Sequence, residues 1–116
     1  MAQGQRPTLE TTPTTTILLV GPTPELLEAT HRAAQAIPSA DIVSCELKEA
    51  ATRVAELWPF AIVMTEDLYS FDSAEFDALA RDVQARLITV TDATSTNRIE
   101  RKLRPQILQA YRERRV

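Results

Sequence analysis

The chain has 116 residues, of which 44% are hydrophobic and 25% charged, a balance that suits one compact domain folding in water. Its two glycines, Gly4 and Gly21, are too few for a Gly-rich phosphate cradle, and one Cys with one His cannot assemble a Cys/His zinc site. The net charge of −3 hides a split, since residues 1–95 hold six Lys/Arg against 14 Asp/Glu and residues 96–116 hold seven against two, a pattern favouring self-association or an acidic partner over nucleic acid.

Residues 1–15 are rich in Thr, contain two Pro and offer little to bury, which predicts a flexible arm before a domain over 16–116. Ile17-Leu18-Leu19-Val20 is a continuous apolar run closed by Gly21-Pro22, as expected of a strand buried on both faces. Thr23-Pro24-Glu25 supplies a capping hydroxyl, a first-turn proline and an acid suited to a helix start. Leu26, Leu27, Thr30, Ala33, Ala34 and Ile37 follow at helical spacing, and Pro38 stops that helix.

Asp41–Cys45 reads as a second strand, followed by a helix from about Lys48 to Leu57 that ends before Pro59, with Trp58 covering the core. Phe60–Met64 is another fully apolar strand. Glu66 and Asp67 read as solvated acids in a loop beyond it, because adjacent residues seldom aim at one ion. Leu68, Tyr69 and Phe71 in that loop have two readings. They form an exposed contact surface, or Phe71 staples the next helix against Phe76 while Tyr69 covers a sheet edge. Asp72 and Glu75 are spaced as a capping box for that helix, and Arg86–Thr91 is a fourth strand.

Asn97 and Glu100 are placed to cap a basic terminal segment, about 97–114, whose stripe is Ile99, Leu103, Ile107 and Tyr111. Pro105 either kinks this helix or starts a second one. The order βαβαβαβα requires crossover connections and a parallel sheet covered on both faces, so the fold class is α/β, doubly wound.

No apolar run approaches the ~20 residues of a bilayer span. The start, Met1-Ala2-Gln3-Gly4-Gln5, lacks the basic then apolar order of a signal peptide. A cytoplasmic protein is the expectation, with Cys45 a reduced, buried packing residue that has no basic neighbour to lower its pKa. His31 reads as a surface residue of the first helix.

The strand ends carry a resemblance. Ile17-Leu18-Leu19-Val20, Pro59–Thr65 and Leu87–Thr91 resemble the first, third and fourth strands of the receiver domain of bacterial response regulators, a flavodoxin-like fold. The likeness covers roughly residues 16–92 and implies that same sheet, here lacking the usual fifth strand. In that family two acids after the first strand hold Mg²⁺, an aspartate ending the third strand takes the phosphoryl group, a hydroxyl ends the fourth and a lysine ends the fifth. Here the acid pair falls on Gly21 and Pro22, the phosphoacceptor falls on Thr65, and only Thr91 matches its family residue. The one lysine after Thr91 is Lys102, inside the helical stretch. Phosphotransfer needs a carboxylate nucleophile and a divalent cation, and these positions supply neither.

The resemblance therefore implies a degenerate, non-catalytic pseudo-receiver without metal or cofactor, acting as an interaction or oligomerisation module in bacterial signalling or regulation. Its expected surface comprises Leu68, Tyr69, Ile99, Arg101, Lys102, Leu103, Ile107 and Tyr111. A homodimer through residues 85–116 is the expected assembly, against the alternative that the stripe packs on its own sheet and completes a monomer. Two rival readings remain. One is a phosphate- or metal-responsive switch or enzyme in a cleft lined by Thr65, Glu66, Thr91 and Asp92. The other is a DNA-associated adaptor using Arg98, Arg101, Lys102, Arg104, Arg112, Arg114 and Arg115, disfavoured because the acidic body would repel phosphate.

Overall fold

The computed structural model describes residues 15–91 and 95–115. Most of the expected arm therefore lies outside the described residues. Its last member, Thr15, is tied to the domain: its hydroxyl donates to the Ser39 carbonyl at 2.9 Å, and its own carbonyl accepts from the Asp41 N–H.

In chain order the elements are β1 (Thr16–Val20), α1 (Pro24–Ala33), β2 (Asp41–Cys45), α2 (Ala50–Leu57), β3 (Ala61–Thr65), α3 (Glu66–Phe71), α4 (Ser73–Asp82), β4 (Arg86–Val90) and α5 (Thr96–Arg115). Short 3₁₀ turns at Ala34–Ala36 and Leu47–Glu49 end α1 and lead into α2. The strands form one all-parallel sheet in the order β2-β1-β3-β4, with Ile17 beside both Ile42 and Ala61, and Ala61 beside Arg86. Among the described residues this is a flavodoxin-like doubly wound α/β fold without a fifth strand.

Alternation along the strands assigns each helix to a face. Ile17, Leu19, Ala61, Val63, Ile88 and Val90 point to one side, where α1 and α5 lie side by side. Leu18, Val20, Ile62 and Met64 point to the other, where Ala50 and Val54 of α2 and Phe76 and Ala80 of α4 cover them. β1 is buried along its whole length because it has strands on both edges and helices on both faces.

Local chemistry sets most boundaries. The Thr23 hydroxyl accepts the Leu26 N–H at 3.1 Å with Pro24 in the first turn, as its sequence predicts. The second helix begins with a 3₁₀ turn in which Glu46 and Glu49 form a reciprocal capping box. Helix α5 is capped by Ser95, whose carbonyl and hydroxyl accept the N–H groups of Ile99 and Arg98, and not by Asn97. Asn97 instead accepts a hydrogen bond from Arg32 of α1. Pro105 lies inside one continuous helix, so neither a second helix nor a break occurs there.

The segment after β3 differs most from expectation. Glu66, Asp67, Leu68, Tyr69 and Phe71 form a helix, not a loop, because the Thr65 hydroxyl caps it and two acids occupy its first turn. Phe71 closes that helix and so cannot fold back as a staple; it is 78% exposed. Asp72 precedes α4 without a side-chain capping bond. Trp58, expected to cover the core, is 49% exposed and sits in the left-handed region at φ 48° as the C-cap of α2. No helix among the described residues is long and apolar enough to cross a membrane.

Candidate functional site

The crevice at the carboxyl ends of β1 and β3 is where doubly wound sheets receive ligands, because the chain turns away in opposite directions there. In this protein Gly21 makes the turn after β1 at φ +55°, with its N–H donating to the Cys45 carbonyl at 2.8 Å. Leu68 of α3 lies over it: a Cβ placed on Gly21 would stand 3.2 Å from Leu68 Cδ2. Leu68 in turn packs on the cluster of Val20, Met64 and Phe76. The turn after β1 thus lies against an aliphatic side chain.

Thr65 ends β3, and its hydroxyl accepts the Leu68 N–H at 3.3 Å. That oxygen serves a helix cap. Thr91 follows β4 and is exposed, and Pro22 is half-buried beside Gly21. Glu66 and Asp67 stand in the first turn of α3, where their charge complements the helix dipole. Asp92, the fourth member of the cleft expected by the switch reading, lies outside the described residues. Among the described residues no three His, Cys, Asp or Glu side chains are grouped to hold a metal ion.

Cys45 is buried at the end of β2. Burial, and secondarily the Glu49 carboxylate, push its thiol pKa up, against a smaller opposing pull from Arg53. Such a thiol is held protonated and is a poor nucleophile. His31 is exposed on α1.

The expected interaction residues divide between core and surface. Ile99, Leu103 and Ile107 are fully buried by the chain's own α1 and sheet, with no exposed area. They are core residues and not an interface, because α5 fills the place beside α1 that the sheet face leaves open. Tyr111 is half-buried and meets Phe60 edge-on at 5.8 Å. Arg101 is exposed on the opposite side of the helix, and Lys102 is exposed on its flank. Tyr69 is half-buried; its ring stacks on Phe76 at 6.4 Å, and its hydroxyl donates to the Asp77 carboxylate at 2.9 Å. That hydrogen bond, first among its causes, raises the phenol pKa.

A second concavity escaped the sequence reading. Between the start of α2 and the first half of α4 lies an open groove of about 280 Å³, lined by Leu47, Ala50, Phe71, Phe76 and Leu79. Lys48, Asp72 and Glu75 complete its wall. Leu47 and Phe71 are, with Trp58, the exposed large hydrophobic residues of the described chain, and two of the three meet at this groove. The signal was present in part: Phe71 was one of three candidates for an exposed contact. Leu47 gave none, since a lone leucine before a helix is ordinary.

Comparison of the chain with protein-family models, with curated proteins and with solved structures yields no match.

Proposed function

We propose that this chain is a receiver-like, non-enzymatic module that works by binding protein, another copy of itself included, in bacterial signalling or regulation. The observation that carries the reading is the contact of Leu68 with Gly21. A receiver-like sheet that still turned over phosphate would need carboxylates and room for a cation there, and this one has a glycine under a leucine. The Thr65 hydroxyl supports the same view, since it is engaged as a helix cap.

The remaining features fit a binding role. Phe71 and Leu47 hold apolar area in water at a cost that burial against a partner recovers. Cytoplasmic residence belongs to the same proposal, because a buried, protonated Cys45 is at home in a reducing compartment.

The test is incubation with a small-molecule phosphodonor and Mg²⁺, followed by intact mass and thermal melting. The expected result is no added mass and no shift in Tm. Any covalent phosphate, or a Tm rise that saturates with Mg²⁺, overturns the reading through linkage.

A further inference from the structure

The two helical layers of this domain carry opposite charge. Residues 46–82, which include α2, α3 and α4, hold nine Asp/Glu against three Lys/Arg, a balance of −6. Helix α5, over residues 96–115, holds seven Lys/Arg against two Glu, a balance of +5. α5 lies with α1 on one face of the sheet, and the acidic helices α2 and α4 lie on the other. The sheet therefore separates a negative surface from a positive one.

Each surface also has an apolar feature. On the acidic layer it is the groove with Phe71 and Leu47 at its rim and Asp72 and Glu75 in its wall. On α5 the outer side, opposite the buried Ile99, Leu103 and Ile107, carries Arg101, Pro105 and Arg112 at i, i+4 and i+11, while Leu108 packs against the core. Arg101, Pro105 and Arg112 are exposed and Leu108 is half-buried. An exposed proline flanked by arginines faces outward on α5, and a groove whose wall holds Asp72, Glu75 and Lys48 lies on the opposite face of the sheet.

We infer that the groove between α2 and α4 receives the outer face of α5 from a second copy of this chain, so that the protein associates head to tail. The inference rests on the interaction-module reading and adds to it the partner, the two surfaces and the symmetry. Charge complementarity chooses the occupant: the basic helix is the segment of this chain whose charge opposes that of the groove's layer, and steering between the two speeds encounter and fixes orientation.

Geometry then decides the form of the assembly. The two surfaces lie on opposite faces of a rigid sheet, so a copy that seats its α5 in one neighbour still offers its own groove to another. Such a heterologous contact does not close on itself as a two-fold dimer does; it makes a ring or an open chain. It differs from the expected homodimer joined through residues 85–116 in pairing two different surfaces.

The experiment is sedimentation equilibrium of the wild-type chain from low to high micromolar concentration, in low salt and in about 1 M salt, where the screening length falls to about 3 Å. The expected result is a weight-average mass that grows past twice the 12.9 kDa monomer in low salt and falls toward the monomer in high salt. Two variants then isolate the surfaces. Phe71→Asp blocks the groove, and Arg101→Glu with Arg112→Glu blocks the helix. Each is expected to be monomeric alone, and the two mixed are expected to form a pair of twice the monomer mass and nothing larger, since one groove and one helix stay intact. Circular dichroism of each variant checks that it is folded. A wild-type chain that remains monomeric, or that stops at a closed dimer, overturns the inference. Either result leaves the interaction-module reading standing, because the phosphodonor test addresses that reading separately.

Discussion

Gly21 and Leu68 are matched: the glycine turns at φ +55° with no side chain, and a Leu68 methyl occupies the space just beyond where one would begin. Two penalties therefore meet at this position. A left-handed turn costs an L-residue about 1–2 kcal/mol, and a new Cβ must push Leu68 back by a few tenths of an ångström. Gly21→Ala is expected to lose about 1–2 kcal/mol in urea unfolding. In a Leu68→Ala background the loss should be smaller by the steric part, and the double-mutant cycle reads that coupling directly. Full additivity would show that the two residues do not touch.

The terminal helix is structural, and its substitution separates core from interface. Leu103 has no exposed area, so Leu103→Ala is expected to cost about 2–5 kcal/mol, a large share of an ordinary domain's stability. Leu103→Glu together with Ile107→Glu buries two carboxyl groups among aliphatic side chains and is expected to abolish the folded circular dichroism spectrum. A folded monomer from that double variant would return these residues to an interface.

The layered fold was legible because the strands announce themselves. Ile17–Val20 and Ala61–Met64 are unbroken apolar runs bounded by Gly or Pro on one side, as strands covered on both faces use at that length. The site was less legible, for three physical reasons. A short helix after β3 depends on one cap, from Thr65, and on two acids whose identity also suits a loop. The stripe on α5 has the same spacing whether it faces its own sheet or a partner, and only packing against α1 decides it. The groove joins Leu47 to Phe71 across 24 residues of sequence, and no local pattern brings them together.

Burial of Cys45 gives a pH dependence of definite sign. Its thiol pKa is raised above the ordinary value of 9.0, chiefly by desolvation. Below that value the thiol is protonated in both the folded and unfolded chain, so its contribution is fully present. Above it the unfolded chain releases the proton first and binds fewer protons, so stability falls as pH rises through the folded pKa. Tyr69 adds to the decline at higher pH, since its phenol is also raised above its ordinary 10.0. The expected outcome is a urea midpoint that declines from about pH 9 upward, with a shallower decline in Cys45→Ala. An equal slope in the variant would assign the whole effect to Tyr69 or to other groups. Alkylation of Cys45 at neutral pH should also be far slower in the native chain than in urea.

Pro105 is the last position where sequence and structure pull against each other. It lies inside α5 with its ring exposed, has no N–H to return to the Arg101 carbonyl, and crowds that carbonyl. A proline inside a helix costs about 3 kcal/mol relative to alanine. Part of that is offset here, because the exposed side of the helix leaves the Arg101 carbonyl open to water. Pro105→Ala is therefore expected to raise stability by about 1–3 kcal/mol, read as a higher urea midpoint with an unchanged slope. The same change removes apolar surface from the outer face of α5, so it should weaken self-association while strengthening the fold. Those two effects have opposite signs, and no general loosening of the helix produces both. A variant less stable than the wild type would mean that the proline fits the helix as it stands, and its place on the outer face would then be argued from packing alone.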